Sequence, residues 1–380
     1  MKIGINAVLL CDPSLRGWNR YTVNLLAELP GQGVELVLYS RAPIFEGHLA
    51  RLPAGSFQTR VDSTGRYLNW EQRRLPKLCE QDGVQVLHSP FNYGLPWSCF
   101  CPMVLTLHDA IEFIYYGKRA SFRSRWSRGW LQTRLMHWVA RTRADRIITV
   151  SRHAKKDLVE FLRLPADRID VVLEAADPTF GKPVAPNDRQ ALRDRHNLRK
   201  PFLFYIGGWE ERKNIPCLVR GFAASGIKDV ELVLAGGKEE QRADLVALAQ
   251  SLGIGDRLRL LGWITDEELP ALYAEALCFV YPSEYEGFGL QICEAMAMGC
   301  PTLASNVTSL PEILGDGGEI FDPNDPETLA RLLKRIADEP SFRAELADRA
   351  KRRSAAFSWR KAAEETAAVY RRVVAQPRST

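Results

Sequence analysis

Two glutamates eight positions apart, Glu286 and Glu294, stand where a strand-like run gives way to a helical pattern. The segment 283–299 reads SEYEGFGLQICEAMAMG. Gly287 and Gly289 let the backbone approach a ligand closely. Together with Phe288 and Leu290 they open the next helix, whose free N–H groups form an anion site. If all eight steps are helical, Glu294 lies roughly 12 Å along the axis from Glu286. Two carboxylates so spaced can grip both ends of one elongated ligand. A carboxylate accepts two hydroxyl hydrogen bonds, which suits a ribose diol. Taken in isolation, a glutamate in an apolar helix is more often a solvated or core-paired acid.

A second stretch, GGWEERKN over 207–214, also follows a strand-like run. After the turn at Gly207, the adjacent cations Arg212 and Lys213 can neutralise a diphosphate, and arginine can fork onto two oxygens. A departing nucleoside diphosphate needs that charge in place of a proton. The plain alternative is a solvated surface pair. His108-Asp109 closes the run 103–108, a position for a polar catalyst or a sugar-hydroxyl ligand. It also reads as a structural histidine capped by its neighbour. In 16–22, RGWNRYT, Gly17 offers a turn and Trp18 a ring to stack on a sugar. In 261–264, LGWI, the backbone around Trp263 and Ile264 ends another run.

These segments need elements to position them. Nearly continuous apolar runs at 2–10, 34–39, 84–88, 103–108, 146–150 and 169–173 alternate with helical patterns such as 21–29 and 154–162. Such runs read as parallel strands covered on both faces. A polar stretch, 183–200, with two prolines and a short helix near 188–194, reads as an inter-domain connection. A second series follows, with strands at 202–206, 231–235, 257–261, 278–281, 302–304 and 318–321. Its helices fall at 217–224, 242–252, 266–276, 290–298 and 326–339, and a last helix at 359–374. Two βαβ series imply two doubly wound α/β domains facing a cleft, with ligands beyond the carboxyl ends of the strands.

The 380 residues suffice for two domains, and 46% hydrophobic with 26% charged residues is ordinary for a globular chain. No apolar run reaches the ~18 residues of a membrane span, and the N-terminus does not read as a signal peptide. The eight cysteines show no zinc spacing, so a reducing cytoplasm with free thiols is expected. A net charge of +5 does not call for nucleic acid. The charge is concentrated, however: 117–146 holds nine Lys or Arg and one acid, with Phe122, Trp126, Trp130 and Trp138 among them. That stretch, 118–146 in particular, reads either as a helix packing its tryptophans inward or as a patch meeting anionic lipid.

The E-x7-E spacing, with flanks YEGFGL, EAMAMGCP and SLPEILGDGG, resembles glycosyltransferase family 4, the group 1 glycosyl transferases of retaining type. The resemblance covers Met1 to about Arg372. It implies a GT-B fold of two Rossmann-like domains, 1–180 with 360–380 on the acceptor side and 181–359 on the nucleotide-sugar side, the final helix crossing back. It implies that Glu294 binds the nucleotide ribose and that Glu286 lies by the donor sugar and diphosphate. Arg212 and Lys213 would meet the diphosphate, and His108 would stand near donor and acceptor. Gly17, Gly207 and residues 287–290 would line the donor, with Trp263 and Ile264 by the base. The family's usual loops differ here at Glu211, where proline is common, and at Asn19, where a second glycine is common. The expected donor is a GDP- or UDP-sugar, with no metal or other cofactor, since the chain contains no D-x-D. The expected acceptor is a saccharide or lipid-linked saccharide. A GT-B epimerase and a non-catalytic sugar-nucleotide scaffold remain as rivals.

Overall fold

Every strand pairing among the described residues is parallel. The computed structural model describes residues 1–14, 17–116, 138–237 and 239–375. It divides into two units, Met1–Glu174 with Ser358–Thr380, and Ala175–Phe357. The stretch 183–200 lies within the second unit, where Pro186–Arg195 is helical.

The first unit carries β1 (Lys2–Asn6), β2 (Glu35–Ser40), β3 (Phe57–Val61), β4 (Val86–Ser89), β5 (Met103–Thr106), β6 (Arg146–Thr149) and β7 (Ile169–Val171). Their order in the sheet is β3-β2-β1-β4-β5-β6-β7, so the winding reverses between β1 and β4. The central strands are buried, as their apolar runs require. The edge strand β3 is exposed along most of its length.

Four strands stop short of their apolar runs, β6 by a single residue. β1 ends at Asn6, whose side-chain amide donates to the Gly94 carbonyl at 2.8 Å, and residues Val8–Cys11 form a 3-10 turn. β5 ends at Thr106, which frees His108 to sit in a loop. β7 ends at Val171, three residues before Glu174.

The last helix, Trp359–Ala375, belongs to the first unit. Tyr370 Oη shares a 2.6 Å hydrogen bond with His88 Nδ1, and His88 Nε2 meets Thr106 Oγ1 at 2.9 Å. Burial, with the nearby His108 adding to it, pushes His88 down to about 3, so this imidazole is a neutral link. The Trp359 ring packs edge-on to Tyr21, 5.8 Å between centroids.

The second unit carries β8 (Phe202–Gly207), β9 (Glu231–Gly236), β10 (Leu258–Gly262), β11 (Cys278–Tyr281), β12 (Thr302–Ser305) and β13 (Glu319–Phe321). Their order is β10-β9-β8-β11-β12-β13, so the reversal falls between β8 and β11. In open α/β sheets ligands bind beyond the strand ends at such reversals. Those ends are Asn6 and Ser89 in the first unit, and Gly207 and Tyr281 in the second.

Candidate active site

The turn after β8 and the turn after β11 meet. Gly207 has φ +157, and the Tyr205 hydroxyl lies 2.7 Å from where a Cβ would stand. That hydroxyl donates to the Gly208 carbonyl at 2.6 Å and fixes the turn. A 3-10 turn, Glu211–Lys213, then carries the cations inward. Lys213 is buried, and its Nζ donates to Glu286 Oε1 at 2.6 Å and to Tyr281 Oη at 2.9 Å. Arg212 Nη1 lies 3.1 Å from the same Oε1 and donates to the Tyr285 carbonyl at 3.2 Å.

Two cations therefore share one carboxylate oxygen. Burial alone would raise the Glu286 carboxyl, but Lys213 and Arg212 together outweigh it and hold Glu286 below the usual carboxylate range. Lys213 is pushed below the usual lysine range, chiefly by burial and then by Arg212, against the pull of Glu286. The two directions agree physically. One carboxylate held by two cations stays charged. Glu210, which is exposed, adds only the weakest attraction.

The helix Leu290–Ala297 begins right after this cluster. Gly289 is its N-cap, at φ +101, and a Cβ there would meet Leu310 at 2.9 Å, so both backbone and space require glycine. The helix starts at Leu290, so the eight steps from Glu286 to Glu294 are not all helical and the 12 Å axial spacing does not apply. Glu294 is buried and accepts from Tyr273 Oη at 3.1 Å. Phe288 is buried edge-on to Phe357, 6.2 Å between centroids, and thus packs rather than lining an open face.

The flank SLPEILGDGG, which opens on Ser309, and the preceding Thr308 hold the loop 286–289. The Ser309 hydroxyl lies 3.0 Å from the Glu286 carbonyl and 2.9 Å from the Phe288 carbonyl, and Glu286 N–H donates to Thr308 Oγ1 at 3.2 Å. Thr308 sits at φ +56, a costly conformation for a β-branched residue, and such strain clusters at functional sites. After β10, Ile264 is buried and the Trp263 ring is 60% exposed.

His108 stands in the first unit. It is buried, with Nδ1 at 3.1 Å from Glu174 Oε1 and Nε2 at 3.1 Å from the Pro90 carbonyl. Its own N–H donates to Asn92 Oδ1 at 2.8 Å. Both ring nitrogens thus face acceptors, which fixes the ring plane. Glu174 was not singled out by sequence: its only mark was an acid closing the apolar run 169–173. Gly17, at φ +44, is the N-cap of the helix Trp18–Glu28. The Trp18 ring, expected to be open to a sugar, stacks on His108 (6.0 Å, 29°) and on Phe91 (6.5 Å, 24°). It therefore braces His108 with one face.

Residues 117–137, including Trp126 and Trp130, lie outside the described residues. Trp138 is exposed, 4.6 Å from the ring of Trp97, and Arg143 lies over Trp97 at 5.1 Å. Among the described residues, no helix is long and apolar enough to cross a membrane, and no group of three or more His, Cys, Asp or Glu is placed to hold a metal ion.

Two family models match: Glycosyltransferase Family 4 over residues 15–180 and Glycosyl transferases group 1 over 188–353. The O-antigen chain mannosyltransferase B of Escherichia coli is 34% identical over 232 residues, 60% of this chain and 61% of that protein. The serotype-specific mannosyltransferase WbdA of Escherichia coli is 34% identical over 223 residues, 57% of this chain and 27% of that protein. The chain thus spans less than two thirds of these relatives. Among solved structures, the sucrose-phosphate synthase of Thermosynechococcus elongatus superposes with a TM-score of 0.75 at 22% identity, covering 98% of each chain. That likeness speaks for the fold, two parallel α/β domains of GT-B type. On the two models and the shared fold, this chain belongs to glycosyltransferase family 4, the group 1 glycosyl transferases.

Proposed function

We propose that the chain transfers a hexose, of mannose or glucose type, from a GDP- or UDP-sugar to a saccharide or lipid-linked acceptor with the anomeric configuration retained. The observation that carries this reading is the pair of cations on one oxygen of Glu286, at the sheet reversal and beside a helix start. Two fixed cations at a helix start suit a diphosphate, and their field develops its full value as the leaving group gains charge. Arg212, Lys213 and the Leu290–Ala297 helix start supply the field that a metal ion supplies elsewhere, so the reaction runs without one. Glu294 takes the ribose diol, and the backbone at Trp263 and Ile264 meets the base. His108, held at both ring nitrogens by Glu174 and Pro90, helps shape the first unit, which holds the acceptor. The leaving phosphate takes the acceptor proton. The mannosyltransferase relatives support surface polysaccharide or glycolipid synthesis as the setting. Binding across a panel of nucleotide sugars tests the reading. Release of an epimerised sugar without any acceptor would instead make the chain an epimerase.

A peripheral contact with anionic membrane through 118–146 belongs to the same proposal. The exposed Trp97 and Trp138 rings beside Arg143 support it, since aromatic rings and arginines suit the lipid interface. Each cation near such a surface contributes about 1 kcal/mol. Replacing Arg123, Arg125 and Arg128 by alanine should therefore weaken sedimentation with phosphatidylserine vesicles by about 100-fold. Unchanged sedimentation would remove the membrane from the account.

A further inference from the structure

The winding reversal of the first unit holds a carboxyl that the reading above does not use. Glu71 is 8% exposed and sits on the π-helical turn Trp70–Arg74. Such turns recur at functional sites. Its Oε1 accepts from Gln72 Nε2 at 2.7 Å. Gln72 is fixed in turn, because its Oε1 accepts from the Trp97 N–H at 2.7 Å. Among the described residues no cation pairs with Glu71. Burial raises its carboxyl, with weaker opposition from Tyr67 and Gln72.

The surroundings are aromatic and polar together. The Tyr67 hydroxyl is shut off from solvent and has no hydrogen bond of ordinary geometry, although Glu71 and Asn6 are among its neighbours. Tyr93 feels the Glu71 charge, and its ring lies edge-on to Trp18, 5.9 Å between centroids. Trp18 in turn stacks on His108. Asn6, at the end of β1, holds the Gly94 carbonyl of the Tyr93 loop. Tyr93, Trp18 and His108 thus form a chain of ring contacts, and Glu71 and Tyr67 lie within electrostatic reach of Tyr93.

A buried carboxyl with no cation costs stability, and an orphaned hydroxyl beside it costs more. Gln72, and Tyr67 beside it, offset only part of the burial of Glu71. Groups kept at such a cost suit a ligand that completes their hydrogen bonds. The geometry points to Glu71, with Tyr67 and Tyr93, as a subsite for an uncharged, hydroxyl-rich acceptor: the carboxyl oxygen not engaged by Gln72 receives ring hydroxyls, and the Tyr93 ring covers an apolar sugar face. This rests on the reading that the first unit holds the acceptor. A phosphate group on that part of the acceptor would meet the Glu71 carboxyl with no cation beside it among the described residues, and is disfavoured.

Ligand-observed saturation-transfer NMR on the full chain tests the subsite, with methyl α-D-mannoside and mannose 6-phosphate as probes. The glycoside should bind at least ten-fold more tightly than the phosphate. Glu71→Ala should weaken glycoside binding at least ten-fold, whereas Glu71→Gln should keep part of it and narrow the discrimination against phosphate. Removing a buried carboxyl that has no ion pair among the described residues is not expected to unfold the chain, and a preserved melting temperature checks this. In the same samples the melting shift on adding UDP or GDP monitors the second unit. A nucleotide shift with no glycoside binding, or with glycoside binding unmoved in Glu71→Ala, overturns the subsite and leaves the transferase reading standing. Loss of the nucleotide shift in the unaltered chain would overturn the transferase reading itself.

Discussion

Replacing Lys213 by alanine is expected to lower donor turnover, followed as nucleoside diphosphate release, by about 100- to 1000-fold, the usual cost of removing one preorganised donor aimed at a developing anion. Lys213 is buried and bonded to both Glu286 and Tyr281, so its ammonium is held in place before any ligand arrives. The variant should also lose affinity for inorganic pyrophosphate, which has no base or ribose. A pH profile adds a second reading. Burial and Arg212 hold Lys213 below the usual lysine range of about 10.4. Its charged form binds the diphosphate, so affinity is full on the acid side of that lowered value and declines as pH rises through it. Lys213→Arg, whose side chain stays charged, should lack the alkaline decline while keeping part of the affinity. Pyrophosphate affinity unchanged in Lys213→Ala would remove the cation pair from the site.

The second large effect falls on Glu294. Glu294→Ala should weaken binding of UDP or GDP by about 10- to 150-fold, the loss of charge-assisted hydrogen bonds worth about 1.5–3 kcal/mol. Pyrophosphate affinity should stay as it was. That contrast separates the two ends of the grip, because Lys213→Ala weakens both ligands and Glu294→Ala weakens only the nucleotide. The alanine variant also removes the 3.1 Å hydrogen bond that Tyr273 Oη donates to Glu294. Glu294→Gln keeps an acceptor for Tyr273, so it distinguishes a lost ribose contact from a loosened helix. Nucleotide affinity equal to that of the unaltered chain in Glu294→Ala would contradict the ribose assignment.

What the sequence showed depended on whether a contact was local. Glu286, Gly287 and Gly289 lie within four residues, and their motif carried the turn with it. The pairing of Arg212-Lys213 with Glu286 spans more than seventy positions and could be expected only through the family resemblance. Their direct ion pair was not expected at all. The residues that brace the site were given no such role by the sequence, although Ser309 opens the flank SLPEILGDGG. Thr308, Ser309 and Glu174 are single polar side chains in loops, and each acts on a distant backbone or ring. Glu71 sits in a segment with no apolar period, because its helix passes through a π turn.

The same logic separates the elements that were read from those that were missed. The central strands announced themselves as apolar runs because both faces are covered. β3 did not, since four of its five residues are exposed. The helix Pro340–Ser354 buries only Phe342, Leu346 and Ala350, a stripe too thin to stand out in a charged stretch. β1 and β5 were read too long because the residues after them, Ala7 and Leu107, remain buried although the pairing has ended.

The most direct test of the donor grip is a melting-temperature panel on the unaltered chain with GDP-, UDP- and ADP-sugars. A ligand at about 100 times its Kd stabilises by about 2.7 kcal/mol. For units of this size that is a rise of roughly 5–10 °C. The account predicts such a rise with a GDP- or UDP-hexose, and its loss in Glu294→Ala. No rise with any of the three classes of donor would contradict it.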